Sequence, residues 1–467
     1  MSEIARDIAR VFDLQRRHKH IVRRTTAAER VAKLERLRDS LKTHAQDLMA
    51  ALGRDTGKPP LEAFIELTGP LGELNDVCPF LEEWMKPDEV VLGPNSLPGA
   101  RGQIVQEPKG QVLIFGPWNF PSGLLFQPLV GAIAAGNVCM LKPSELTPAT
   151  SALSLKIVRE LFPEEEVAIF EGGPEVAQLL LQHPFDHIFF TGSTKVGKLV
   201  MAAAATHLSS VTLELGGKSP AIVDSKVDLP KIARRIAWGK FANAGQVCLS
   251  PDHVYVPKGL RDAFVAEVRA YLNDAYYKDG QFNTGDLAQI VDDRNLKRLT
   301  GLISDATARG AKVVQGGHLV GERRLAPTIV VDVPADAGIM QEEIFGPIMP
   351  VIAYDDLEDV LDQVNDREKP LALYVFSEDS AFVDKVLTRT SSGGATVNDV
   401  IRHVTEPTLP FGGAGPSGHG SYHGKYSFLA FSHTRSVYLQ SSQNSPMEGI
   451  TRPPFAGKLE AILGAAR

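Results

Sequence analysis

The chain has 467 residues, 43% of them apolar, with 49 Lys and Arg against 56 Asp and Glu. That length exceeds one ordinary core and predicts two or three domains, and a net charge of −7 leaves no basic excess for phosphates, which excludes nucleic acid as the main partner. Three cysteines, Cys78, Cys139 and Cys248, are too few for a disulfide framework and, with no apolar leader near Met1, predict a reducing, cytoplasmic setting.

In chain order, the first ninety or so residues read as helical. The basic run of Arg16, Arg17, His18, Lys19, His20, Arg23 and Arg24 is short and reads as a solvated helix face. Thr25 or Thr26 caps a helix, with Glu29 placed for a capping box. Val31, Leu34, Leu37, Leu41 and Leu48 then keep helical spacing, until the stretch from Asp55 through Gly57 to Pro60 stops it. A second helix is predicted from Glu62 to Met85. Between Gly110 and Leu141 no residue is charged, a run long enough to span a bilayer. Gly116, Pro117, Pro121, Pro128 and Gly136 interrupt it, so it reads as strand, loop, buried helix and strand, with no membrane span.

Beyond this the pattern alternates. β-rich runs at 111–116, 138–142, 167–173, 187–192 and 211–215 are separated mostly by helical stretches, such as 149–161 and 174–182. A second set of runs follows at 221–224, 253–256, 312–317, 328–333, 350–355, 371–377 and 395–399, with helices at 229–244, 259–272, 294–309, 357–365 and 380–389. Such alternation predicts parallel sheets covered by helices on both faces, hence two α/β domains joined near Ser210.

Three residues stand out for chemistry. Cys248 lies on a Gly-containing loop after a predicted helix, flanked by Asn243, Gln246 and Ser250. Taken alone it is either a small buried hydrophobe or a nucleophile. Glu214 ends an apolar β run. It is either paired with Lys218 or left unpaired with a raised pKa, which suits a general base. Asn119 follows a buried strand on a turn pinned by Pro117 and Pro121, where its amide either closes the turn or donates to an oxyanion.

Nucleotide signals are mixed. The pattern G-x-G-x-x-G occurs at 413–418 but neither follows a clean strand nor opens a helix, and is rejected. A near P-loop at 192–198 has strand, turn and helix context. Leu199 replaces the hydroxyl residue, so the site reads either as phosphate binding without magnesium or as an ordinary strand-to-helix turn with no ligand. Lys142 and Glu145 follow another buried strand, either as ribose contacts or as a solvated loop. No metal site is expected: C-x-x-C and H-E-x-x-H are absent, and His419 and His423 sit in a Gly-rich loop.

Taken together, GPWNFP (116–121), KPSELTP (142–148), FTGSTKVGK (190–198), TLELGGKSP (212–220), NAGQVC (243–248), QEEIFGP (341–347) and the tail 409–428 resemble the aldehyde dehydrogenase superfamily in the family's order. The tail and modest length resemble its class 3 branch, acting on fatty and aromatic aldehydes, with coniferyl aldehyde dehydrogenases as relatives. The resemblance implies two doubly wound α/β domains plus a small β segment: residues 1–85 and 107–210 bind NAD(P), 211–417 carry catalysis, and 86–106 with 418–467 bridge to a second copy in a homodimer. It implies Cys248 as nucleophile, Glu214 as base for water, and Asn119 with the Cys248 amide as oxyanion donors. Lys142, Ser144 and Glu145 are then placed by the adenosine ribose, Gly192, Ser193, Val196 and Gly197 by the phosphates, and Glu343 and Phe345 by the nicotinamide ribose. Trp238 and Phe411 are placed in the substrate funnel. NAD is the expected cofactor, with NADP accepted, since Glu145 opposes a 2′-phosphate and Lys142 favours one. Val247 departs from the Thr that many relatives carry. A CoA-acylating enzyme is disfavoured by Glu214, a cysteine hydrolase by the turn at Gly192, and a non-enzymatic nucleotide-binding relative by the complete Cys, Glu and Asn set.

Overall fold

The computed structural model describes residues 2–93, 96–97, 99–440 and 452–465. A six-stranded sheet has the order β19-β7-β6-β3-β4-β5: β3 (Gln111–Phe115), β4 (Val138–Lys142), β5 (Val167–Ile169), β6 (His187–Thr191) and β7 (Ser210–Glu214) run parallel, and the short β19 (Gly418–His419) is antiparallel to β7. A seven-stranded sheet has the order β12-β15-β16-β9-β8-β17-β18. It is built from β8 (Pro220–Val223), β9 (His253–Pro257), β12 (Lys312–Gln315), β15 (Thr328–Val331), β16 (Ile348–Tyr354), β17 (Ala372–Phe376) and β18 (Gly394–Val397), and only β12 is antiparallel. Two hairpins decorate this unit, β10 (Tyr277–Lys278) with β11 (Gln281–Phe282) and β13 (Leu319–Gly321) with β14 (Arg324–Leu325). A third, antiparallel sheet joins β1 (Asp88–Val90), β2 (Arg101–Pro108) and β20 (Ser432–Leu439).

Strands β3, β4, β6, β8 and β17 are buried along their whole length, because helices cover both faces of a parallel sheet. The charge-free run is explained the same way. Its helix Gly123–Ala135 is buried nearly throughout and packs against helix Pro60–Val77 and helix Ala27–Thr43. No helix among the described residues is long and apolar enough to cross a membrane.

Several boundaries differ from the sequence reading. Thr26 is the cap, and its capping box with Glu29 forms, but the chain bends at His44, dividing one expected helix into Ala27–Thr43 and Ala45–Thr56. The helix expected over 62–85 ends at Val77, and a short turn Leu81–Trp84 follows. Pro128 does not break its helix. It lies in the second turn, where one missing amide costs a single bond. The predicted junction near Ser210 moves to the far side of Glu214, since Ser210–Glu214 pairs with β6 in the first sheet. Residues 418–419 also belong to that sheet.

The central strand β3 is flanked by β4 and β6, so the connections diverge between β3 and β6. In open α/β sheets ligands bind at the carboxyl ends beside such a point. Gly116 to Asn119 and Gly192 to Ser193 emerge there. The chain then crosses from the end of β7 to the start of β8, which lies beside β9. Strand ends of one sheet thereby face strand starts of the other.

Candidate active site

Glu214 is the last residue of β7 and is buried. Neither carboxylate oxygen has a hydrogen-bond partner, and burial raises its carboxyl well above the usual range. The alternative pairing with Lys218 is not formed; Lys218 bonds Asp252. The Glu214 carbonyl accepts the Gly192 amide at 3.0 Å, so the base candidate and the phosphate-type turn share one backbone contact.

Cys248 follows a sharply bent segment. Helix Leu229–Phe241 ends earlier than expected and passes into a tight turn, Ala242–Gly245. Asn243 and Ala244 adopt φ of 48° and 52°, left-handed values that cost non-glycine residues free energy and persist only when surroundings hold them. Gly245 must be glycine, for its φ is 71° and a Cβ would fall on the Gly346 carbonyl. The holding contacts are explicit. Glu62 Oε1 accepts the Asn243 amide at 3.0 Å. The Gln246 side chain donates to the carbonyl of Gln289 (2.9 Å) and accepts the Val291 amide (3.0 Å). Cys248 keeps partial exposure, and its thiol is pushed up to about 12, first by burial and then by the charges of Glu343 and Glu214.

Asn119 lies on the loop after β3 and is buried. Its Nδ2 donates to the Gln246 carbonyl at 3.1 Å, which uses one of two amide hydrogens and leaves the second for another acceptor. Its carbonyl receives Lys58 Nζ at 2.7 Å and Asn243 Nδ2 at 3.1 Å. Lys58 is fully buried against Glu66 (2.5 Å), and Glu66 Oε1 accepts the amides of Ser122 and Gly123. The Asn119 and Cys248 loops are thus tied to each other and to the start of helix Pro60–Val77.

The dinucleotide candidates gather at the carboxyl ends of the first sheet. Lys142 ends β4 and pairs with Glu145 at 2.6 Å. The Ser144 hydroxyl accepts the Leu146 amide. Ser193 caps helix Thr194–Ala205 by accepting from the Val196 amide, and the Val196 side chain is exposed. A Cβ at Gly192 would crowd the Phe190 ring, and one at Gly197, in the first turn of the helix, would crowd Leu215, so glycine keeps both places open. Glu343 lies against Gly216, where a Cβ would meet its carboxylate, and burial raises it to about 8, with Asp252 adding to the effect. Phe345 has φ 46° and stacks edge-on to Trp118 at 5.3 Å. Bare glycine backbone at a helix start on a sheet switch point is what a dinucleotide phosphate needs, so these residues fit such a cofactor. Among the described residues no cluster suited to a metal occurs: His423 is buried against Tyr422 and Phe411, while His419 is exposed.

Of the two substrate candidates, Trp238 stands 44% exposed on its helix. Phe411 is buried beside Tyr422, His423 and His403. Tyr422 and Tyr374 lie within electrostatic reach of Cys248, and the Tyr374 hydroxyl donates to the Leu249 carbonyl at 2.5 Å. Tyr374 is thereby fixed beside the residue that follows the thiol. The sequence reading missed Lys58, Glu62, Glu66, Tyr374 and Tyr422. A signal existed for the glutamates: Glu62, Glu66 and Glu73 recur on the face carrying Ala63, Leu67 and Leu74, where carboxylates need partners.

A reachable thiol, a basic carboxyl, a spare amide donor and a dinucleotide crevice together suit covalent oxidation of a carbonyl compound. Comparisons with known proteins agree. The profile of the Aldehyde dehydrogenase family matches residues 3–437. The chain is 44% identical to a Caulobacter vibrioides protein named "Probable coniferyl aldehyde dehydrogenase", over 94% of this chain and 92% of that one. It is 43% identical to the rat "Aldehyde dehydrogenase, dimeric NADP-preferring", over 92% and 94%. The solved substrate-bound state of Staphylococcus aureus AldH superposes with a TM-score of 0.92 at 38% identity, covering 98% of this chain and 99% of that one. The chain belongs to the aldehyde dehydrogenase family and is an NAD(P)-dependent aldehyde dehydrogenase.

Proposed function

We propose that the enzyme oxidises a hydrophobic aldehyde, medium- or long-chain aliphatic or aromatic, to its carboxylic acid through a thioester on Cys248. The observation that carries this reading is the buried, unpartnered carboxyl of Glu214, near enough to raise the pKa of the partly exposed Cys248 thiol. The buried aromatic cluster of Phe411, Tyr422, His403 and Tyr374 supports an apolar substrate, and Trp238 is assigned to the outer funnel.

Cys248 Sγ attacks the aldehyde carbon as the thiolate, its proton released to solvent. The free amide hydrogen of Asn119 and the backbone N–H of Cys248 hold the resulting oxyanion. When bound, the nicotinamide supplies the acceptor for the hydride leaving that carbon. Glu214 then takes a proton from water, which attacks the thioester and releases the acid. Gly192, Ser193, Val196 and Gly197 hold the phosphates, Lys142, Ser144 and Glu145 the adenosine ribose, and Glu343 and Phe345 the nicotinamide ribose. NAD+ is preferred and NADP+ accepted: Glu145 opposes a 2′-phosphate, and its ion pair with Lys142 offsets part of that repulsion. The sheet of β1, β2 and β20 bridges a homodimer, and the three free cysteines suit a cytoplasmic setting.

The test is NADH and NADPH formation with benzaldehyde-type, cinnamyl and medium-chain linear aldehydes beside short polar ones. Turnover is expected with the first three and absent in Cys248→Ala. Activity confined to short polar aldehydes overturns the substrate class, and a fully active Cys248→Ala overturns the mechanism.

A further inference from the structure

Lys218 and Asp252 occupy matching places. Lys218 follows Glu214 by one short turn and precedes β8; Asp252 follows Cys248 in the same way and directly precedes β9, the neighbour of β8. Both side chains are buried, at 9% and 3% exposure, and they form an ion pair. The remaining Lys218 hydrogens go to the carbonyls of Ile339 (2.8 Å) and Glu342 (2.9 Å). Asp252 Oδ2 accepts the Ile344 amide at 2.9 Å, its Oδ1 also lies 3.2 Å from His253 Nδ1, and its own amide donates to the Ser219 carbonyl at 2.7 Å. A buried ion pair is seldom worth more to stability than an apolar replacement. What this one supplies is direction: its atoms grip the backbone of 339–344 at three points. That stretch has no sheet partner between the short helix Gly338–Gln341 and β16, and it leads into the left-handed Phe345, a conformation that needs external support. Two further anchors hold it: Arg298 bonds Glu342 and the carbonyls of Glu343 and Ile344 from the partly exposed rim, and Arg367 donates to the Met340 carbonyl.

We infer that the Lys218–Asp252 pair is a positioning device that keeps the cofactor-facing Glu343–Phe345 segment in register with Cys248. The inference rests on the proposal that Glu343 and Phe345 face the nicotinamide ribose. The Cys248 loop has its own supports in Asn119, Glu62 and Gln246, so loss of the pair releases the cofactor segment and spares the nucleophile.

Lys218→Met and Asp252→Asn in the full chain, with Lys218→Arg as the conservative variant, test this. The readouts are the Kd for NADH by fluorescence titration, KM and kcat with NAD+, and iodoacetamide alkylation of Cys248 without cofactor. Loss of charge-assisted hydrogen bonds predicts a Kd raised about tenfold or more, with KM for NAD+ rising more than kcat falls. Partial recovery is expected in Lys218→Arg, and Cys248 alkylation as fast as wild type or faster, since a displaced Glu343 no longer raises the thiol. Unchanged NADH affinity in the Met and Asn variants overturns the inference. So does collapse of both, which would make the pair a folding element. Glu343→Gln separates the two levels. If it leaves the Kd unchanged, the placement of Glu343 fails; if it raises the Kd while the pair variants do not, the positioning role alone fails.

Discussion

Glu66 and Glu214 are both glutamates buried beneath the same crevice, and the fold treats them in opposite ways. Glu66 is saturated: Lys58 and the Ser122 and Gly123 amides take up its carboxylate. Glu214 has no partner on either oxygen. A satisfied carboxylate gives geometry, because charged hydrogen bonds fix whatever backbone they touch. A bare one gives basicity, because desolvation penalises its anion and makes it seek a proton. In the proposed mechanism the crevice separates stiffness from reactivity, placing each in a different glutamate of otherwise similar burial.

The sharpest way to break this contrast is Glu214→Gln. A general base contributes about 100- to 10,000-fold, so steady-state turnover should fall in that range. The first equivalent of NADH should still appear, with an acyl adduct on Cys248 visible by intact-protein mass spectrometry. Full steady-state turnover would mean that the bare carboxyl is not the base. Asn119→Ala comes next, with a loss of about 100- to 1,000-fold in kcat, the scale of one oxyanion donor; steady-state kinetics would show this, and a loss confined to KM would contradict it. Glu66→Gln strikes the structural member. It leaves Lys58 buried and unpaired, which costs about 3–5 kcal/mol in denaturant unfolding. Stability equal to wild type would show that the saturated glutamate is not a brace.

The smallest effect concerns the thiol. Its pKa is raised to about 12, so between pH 7 and 9 the thiolate fraction, and with it the iodoacetamide rate in cofactor-free enzyme, should climb with pH, by somewhat less than about tenfold per unit because Glu343, raised to about 8, gains its charge in the same window. Glu343→Gln removes that charge. It should lower the thiol pKa and speed alkylation at pH 9, with little change at pH 7. A slower rate would reverse the sign and remove Glu343 from the environment of Cys248.

Much of this architecture could be read before any coordinates. Period and turn signals located the helices 357–365 and 380–389 and strand 138–142 to the residue. Cys248, Glu214 and Asn119 stood out because polar groups had been set against an apolar pattern. The antiparallel pair β2 and β20 is reached only through the family resemblance, as a small β segment of 86–106 with 418–467; the residue pattern does not mark it, since its residues are mostly half-exposed or exposed and lack the apolar run of an inner strand. Pairing across more than three hundred residues also leaves no local trace. Lys58 was hidden by its context: its neighbours Gly57, Pro59 and Pro60 signal a helix stop, and nothing local shows that the ammonium reaches Asn119. Lys218 was weighed against Glu214 because they are near in sequence, whereas its partner Asp252 comes from another strand.

The antiparallel β19 has an implication for how the protein is made. Residues 111–214 are synthesised early, yet the strand bearing Glu214 is bordered by Gly418 and His419, and Gly131 in the central buried helix packs on Ser427. A nascent chain emerging from the ribosome therefore holds the first sheet with its β7 edge unpaired, and the buried helix without its Ser427 contact, until the whole second sheet has followed. Domains usually mature in the order of their translation; here the first-made sheet gains its edge strand only after every strand of the second sheet has been made.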